Sequence, residues 1–230
     1  GEKLELEIKI IGDWLWIMKK NKKRILVVLG GTSKERDVSL ASGRACSKAL
    51  KLAGYKVMEF DPKKTPFSSI DKSKIDIIFN ALHGKDGEDG LAQNYFEYFK
   101  IPYTHSGVIS SINAMNKAIS KKIFINKKIL TPKYFVTSND QFNKNKIKNE
   151  IFKNKLKFPI VIKPTNEGSS IGVNITNNLD ELKKKSEILI KKYNELIFEQ
   201  FIGGQEIQVA VMNGKALGAI ELRPKRNFYD

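Results

Sequence analysis

The stretch ILVVLGGTSKERDVSLASGRACSKALKLAGYKVMEFD, from Ile25 to Asp61, leaves this chain few ways to fold. Ile25 to Leu29 are an unbroken apolar run of strand length, and Gly30 and Gly31 make a tight turn after it. Leu40, Ala45, Ala49 and Leu52 then recur at helical spacing, Gly54 closes the helix, and Val57 to Phe60 form the next strand. A strand, a helix and a strand in that order imply a parallel, doubly wound sheet of Rossmann-like type. Such sheets collect ligands at their strand ends. The loop TSKERDVS sits at one such end, and its Glu35, Arg36 and Asp37 could meet a substrate amine. Helix-start chemistry, with Asp37 or Ser39 capping, accounts for the same residues equally well.

Ile75 to Phe79 is a third strand, and the loop NALHGKDGEDG places His83 among glycines and acidic groups at the same sheet edge. A lone histidine is more often hydrogen-bonded structure than a functional group. A helix over Leu91 to Phe99, the segment Val108 to Asn113 and a helical pattern from Asn116 to Ile125 follow. Lys117 stands at the start of that last helix, where backbone N–H groups already favour an anion.

A second unit is organised around FPIVIKPTNEGSSIG, Phe158 to Gly172. Pro159 to Ile162 read as a strand buried on both faces, Lys163 emerges at its end and Pro164 stops it. Gly168 and Gly172 let a backbone approach a ligand, while Ser169 and Ser170 add hydroxyl donors, so a phosphate suits the loop. The spacing fits neither the Walker pattern nor a dinucleotide fingerprint, and an ordinary Gly/Ser loop is the plainer alternative. Around it lie a strand at Tyr134 to Val136, a helix at Asp140 to Lys153, a strand at Val173 to Thr176, a helix at Leu179 to Lys192 and a strand at Leu196 to Glu199. A hairpin follows, Glu206 to Met212 and Lys215 to Glu221, around the turn pair Asn213-Gly214. The connector FEQFIGGQEIQ can offer its backbone to a planar base, with Glu199 and Glu206 free for amine or ribose hydroxyl contacts. The expected division is a leader of unknown role over 1–23, an α/β substrate domain over 24–115, and an α+β nucleotide-binding region over 116–230.

Composition narrows the function. The single Cys46 excludes an internal disulfide and makes a reducing cytoplasm the default. A net charge of +16 raises nucleic acid as a partner, but the excess is nearly all Lys, with five Arg and few interleaved aromatics, so it reads as compositional bias. A basic nucleic-acid binder would show steep salt-dependent retention and no response to ATP. Trp14 to Met18 is too short for a membrane span and lacks a signal peptide's flanks. The chain begins with Gly1 and stops at Asp230, and it reads as a fragment cut at both ends.

Six motifs acquire meaning together. GGTSKERDVSLASG, ALHGKDGEDG, the MNK of Met115 to Lys117, IKPTNEGSSIG, FEQFIGGQEI and the final FYD occur in this order. As a set they resemble the D-alanine:D-alanine ligases of the ATP-grasp superfamily, from about Arg24 to Asp230. The resemblance implies ATP with Mg²⁺ or Mn²⁺, held between two α+β layers, phosphorylating one D-alanine carboxylate. A second D-alanine then attacks, making the dipeptide that peptidoglycan synthesis uses in building the cell wall. Carried over position by position, Glu35 holds the first ammonium and helps orient Ser169, and His83 lies near the carboxylate. Lys117 and Lys163 contact the phosphates, and Ser169 and Ser170 cover them and the reacting centre. Glu199, Gln200 and Ile202 face adenine, the last by its backbone, and Glu206 binds ribose. Gln200 stands where many relatives carry a charge, and Asn116 replaces a common Asp, which implies a looser helix start. The family's metal ligands fall beyond Asp230, so none is expected in this chain, and the fragment alone is expected not to turn over. Relatives are commonly homodimers; the acceptor could instead be D-lactate.

Overall fold

The computed structural model describes residues 23–223. The expected leader, apart from Lys23, and the closing FYD lie outside the described residues. The chain splits into two compact units between Ala114 and Met115. Among the described residues no helix is long and apolar enough to cross a membrane.

In the N-terminal unit β1 (Arg24–Val28) lies between β2 (Lys56–Phe60) and β3 (Ile77–Asn80), and both pairings are parallel. α1 (Arg36–Leu52) joins β1 to β2, and α2 (Leu91–Phe99) follows β3. Side chains alternate across a strand, so Ile25, Val27 and Leu29 enter one core with Tyr55 and Ala81. Leu26 and Val28 enter another with Ile78, Phe96 and Ile101. One strand therefore anchors two cores, as a parallel sheet covered on both faces requires. Past β3, Pro102 O accepts from Ile78 N–H at 2.8 Å and Thr104 N–H donates back to Ile78 O at 3.0 Å. α3 (Val108–Met115) runs to the boundary.

α1 departs from the sequence reading in two respects. It begins at Arg36, four residues before Leu40, and the residues it buries are Ser39, Gly43 and Ser47, whereas Ala45, Ala49 and Leu52 are exposed. Close approach is the reason: a Cβ on Gly43 would lie 2.5 Å from Leu29 Cβ, so this stripe admits only small residues. Neither Asp37 nor Ser39 caps the helix. The N-cap is Glu35, without a side-chain cap bond. Ser39 lies inside the helix, where its hydroxyl accepts from Gly30 N–H at 2.8 Å and donates to Ala81 O at 2.6 Å.

In the second unit β4 (Tyr134–Ser138), β7 (Glu195–Gln200), β5 (Ile160–Pro164) and β6 (Asn174–Thr176) form an antiparallel sheet in that order. One face puts Phe135, Ile160, Ile162, Leu196 and Phe198 into a core with residues of α5 (Ile147–Lys153) and α6 (Leu179–Ile190). The rings of Phe135 and Phe198 stack there at 4.5 Å. β5 is not buried on both faces as expected: Ile160 and Ile162 are fully enclosed, and Val161 and Lys163 are half-buried on the other side. The helix expected from Asp140 begins only at Ile147. Asn143 takes the Asn145 N–H on its own side chain at 2.9 Å, a local turn that competes with the helix.

α4 (Lys117–Asn126) opens on Asn116, whose side chain accepts from Ile119 N–H at 3.0 Å. The expected loosening is corrected here, because Asn caps a helix about as well as Asp. β8 (Glu206–Met212) and β9 (Lys215–Leu222) pair as a separate, exposed hairpin with an irregularity at Ala210/Val211. Asn213 and Gly214 both take positive φ, +50° and +73°, as the two-residue turn demands.

Candidate active site

The loops at the ends of β1 and β3 interlock. Ser33 Oγ donates to His83 O at 2.7 Å, and Thr32 Oγ1 donates to Asp86 Oδ2 at 2.9 Å. The Glu35 carboxylate lies directly against Gly84, where a Cβ would come within 2.3 Å of Oε2. With φ at +68° as well, Gly84 is the residue that lets this carboxylate share a loop pair with His83. His83 Nε2 is 3.2 Å from Ser42 Oγ, one further turn along α1. The Ser42 hydroxyl also reaches Val38 O at 2.9 Å, and with its hydrogen directed there its oxygen can accept from Nε2–H. Glu35 and His83 are thus brought together.

An ion pair absent from the sequence reading supports them. Arg36 reaches Asp61 with two prongs, Nη1 to Oδ1 at 3.0 Å and Nη2 to Oδ2 at 2.6 Å, and donates to Gly31 O at 2.7 Å. Asp61 also accepts from the N–H groups of Gly31 and Lys63. Arg36 above all, helped by those backbone donors, draws the Asp61 carboxyl from 3.8 down to about 2. The clamp ties the turn after β1 to the end of β2, next to Glu35.

In the second unit the sheet face opposite the core carries the charges. Register places Tyr134, Glu199 and Val161 in one row across three strands, and Val136, Ile197 and Lys163 in the next. Glu199 meets two ammonium groups, Lys163 Nζ at 3.2 Å on Oε1 and Lys121 Nζ at 2.8 Å on Oε2. Lys117 donates its backbone N–H to Thr165 O at 3.0 Å, and its ammonium donates to Thr165 O at 3.4 Å and to Glu167 O. The start of α4 is therefore pinned to the loop that follows β5. Burial, reinforced by the nearby Lys163 charge, moves the Lys117 pKa downward. Burial likewise lowers that of Lys121, against the pull of Glu199.

Ser169 and Ser170 lie exposed in that loop with φ at +46° and +57°, between the turn bonds Ile171 N–H to Gly168 O and Val173 N–H to Ser170 O. Gln200 points the other way from Glu199. Its side chain accepts from Lys157 N–H at 2.8 Å and donates to Pro159 O at 3.4 Å, bracing the approach to β5, and its backbone N–H donates to Lys133 O at 2.9 Å. Ile202 and Glu206 are exposed at the two ends of the connector. Lys121 escaped the sequence reading although it lies four residues after Lys117 on one helix, a spacing that places both on the same face. Ser42 escaped as well, since only the fold brings it to His83.

Residues 123–230 match the family model described as the D-ala D-ala ligase C-terminus, and residues 58–106 match the D-ala D-ala ligase N-terminus. A D-alanine–D-alanine ligase of Pelagibacter ubique is 55% identical over 208 residues, covering 90% of this chain and 67% of the relative. The chain belongs to the D-alanine–D-alanine ligase family, within the ATP-grasp superfamily. A crystal structure of the ligase from Bacillus anthracis matches with a TM-score of 0.79 at 36% identity, covering 90% of this chain and 67% of that one. The ligase from Bacillus anthracis complexed with ATP matches at 0.75 and 32%, covering 90% and 68%. The chain spans 63% to 67% of the length of the first curated relatives it matches. The parallel sheet followed by the antiparallel one is the architecture of this family.

Proposed function

We propose that this chain serves an ADP-forming ligase that joins two D-alanines through an acyl phosphate, and that its second unit binds the ATP. The observation that carries the reading is the array on the polar sheet face: Lys117, Lys121 and Lys163 around Glu199, beside the loop from Gly168 to Gly172. Two of those ammonium groups belong to side chains that a polyphosphate could recruit. Lys163 would leave a single 3.2 Å contact, and Lys117 would leave carbonyl oxygens.

A carboxylate is a poor acyl donor until one of its oxygens becomes a phosphate leaving group. The carboxylate oxygen of the first D-alanine therefore attacks the γ-phosphorus, and ADP departs. The amine of the second attacks the carbonyl carbon, phosphate departs with the electron pair, and the amine loses its proton. For this chain the work is binding and charge placement. In this reading Glu35 receives the first ammonium and His83 lies by the carboxylate. Lys117 and Lys163 neutralise phosphate oxygens, and Ser169 and Ser170 cover the phosphates and the reacting centre. Glu199 and the backbones of Gln200 and Ile202 take adenine, and Glu206 takes ribose. ATP ordinarily comes with Mg²⁺. Among the described residues no group of three or more His, Cys, Asp or Glu could hold a metal, and no step here is routed through one. ATP as a substrate and the lone thiol Cys46 both suit the cytoplasm.

Titration calorimetry of the chain with ATP tests the reading. A charge-assisted phosphate contact contributes enough that Lys163→Ala or Lys117→Ala should each weaken ATP binding roughly 10- to 100-fold. Unchanged binding in both variants would remove the nucleotide from this face.

A further inference from the structure

The nucleotide reading leaves one buried cation without a task. Lys121 has a side chain only 7% exposed, yet it is neither a phosphate ligand in that reading nor part of the apolar core. An ammonium has three N–H donors, and here each has an acceptor: Thr131 Oγ1 at 2.7 Å, Pro132 O at 2.9 Å and Glu199 Oε2 at 2.8 Å. The Tyr134 ring lies below it, 4.8 Å from Nζ to the centroid. Lys121 therefore has nothing left to give a ligand. What it fixes is Glu199, whose other oxygen faces Lys163 at 3.2 Å.

Resting on the nucleotide reading above, we infer that Lys121 is a positioning residue that sets base specificity by holding Glu199 as a rigid, acceptor-only carboxylate. Glu199 accepts from two flanking ammonium groups, Lys121 at 2.8 Å and Lys163 at 3.2 Å. An ionised carboxylate can only accept, and two of its roughly four lone-pair directions are already used. It thus welcomes the exocyclic amine of a 6-aminopurine and opposes the carbonyl of a 6-oxopurine. Lys121 also anchors Glu199 to the segment ahead of β4, so the carboxylate cannot swing to suit a different base. Loss of one charge-assisted hydrogen bond predicts a preference for ATP over ITP of roughly 10- to 100-fold.

The test is calorimetric titration of the native chain, Lys121→Met and Glu199→Gln with ATP and with ITP. The native chain should prefer ATP, and K121M should lose most of that preference through weaker ATP binding, with ITP binding little changed. E199Q, which leaves the lysine in place and supplies an amide able to donate, should shift the ratio towards ITP even if K121M fails to fold. A folded K121M with an unaltered ATP/ITP ratio, or an equal loss of both nucleotides, would overturn the positioning role. So would E199Q with the native ratio. A native chain that binds both nucleotides equally refutes specificity but leaves the nucleotide reading standing, whereas one that binds neither ends both.

Discussion

A Ser42 hydroxyl hydrogen directed at Val38 O leaves Oγ to accept from His83, so Ser42 bears on which nitrogen of His83 carries the proton. With Oγ left as acceptor, the Nε2–H tautomer is favoured and Nδ1 is left bare to accept. The chain holds two histidines, His83 and His105, so side-chain ¹⁵N spectra can be assigned by a single substitution. His83 should show the Nε2–H pattern in the native chain, and Ser42→Ala should move it towards the Nδ1–H form; an S42A spectrum identical to the native one would remove Ser42 from this role. A second residue-scale expectation concerns acid. Folding lowers the Asp61 pKa from 3.8 to about 2, so the clamp's contribution is complete above about pH 4 and is lost as the pH falls through 3.8 towards 2. It should amount to about 1–2 kcal/mol. Asp61→Asn should therefore destabilise the chain to urea at pH 6, and the gap between the native and variant midpoints should narrow steadily as the pH falls through 3.8 towards 2.

At the scale of elements, the helix that organises the N-terminal sheet depends on what it lacks. Gly43→Ala would place a methyl 2.5 Å from Leu29 Cβ, and overpacking of this kind should cost about 1–3 kcal/mol in urea unfolding despite alanine's better helix propensity. Asn116→Ala should cost about 1 kcal/mol by removing the α4 cap, and Asn116→Asp should be close to neutral. These elements also mark where the sequence was legible. Apolar runs and the Asn213-Gly214 pair revealed the strands and the hairpin, because period and turn chemistry are local properties. The small-residue stripe Ser39, Gly43, Ser47 was not legible, since a periodicity search follows large apolar side chains and close helix–sheet contact excludes them. Asp140 to Lys146 misled for the opposite reason: the run tolerates a helix, and only the Asn143 turn ends that option. Glu35 and His83 could be picked out from loops at strand ends, whereas the Arg36–Asp61 and Lys121–Glu199 pairs join residues 25 and 78 positions apart, and no local pattern couples them.

For the whole molecule, the chain divides its proposed labour between two units that each have a sheet and buried clusters of their own. The β1 and β3 loops, with Glu35 against Gly84 and His83 on Ser42, offer a carboxylate and an imidazole. The polar face of the antiparallel sheet offers Lys117 and Lys163. An amino acid carries one ammonium and one carboxylate, and ATP carries a polyphosphate, so the two ligands should be sorted by charge to different units. Amide hydrogen exchange reads this directly, because a ligand slows exchange where it suppresses local opening. D-Alanine should protect peptides spanning 30–42 and 81–90 and leave the second unit unchanged. ATP should protect 117–121, 160–172 and 195–206. Protection by D-alanine confined to the second unit, or by ATP confined to the first, would reverse the assignment. Equal protection of both sets by ATP alone would mean that the charge of each loop set does not select its ligand, and the roles given to Glu35 and His83 would fall with it.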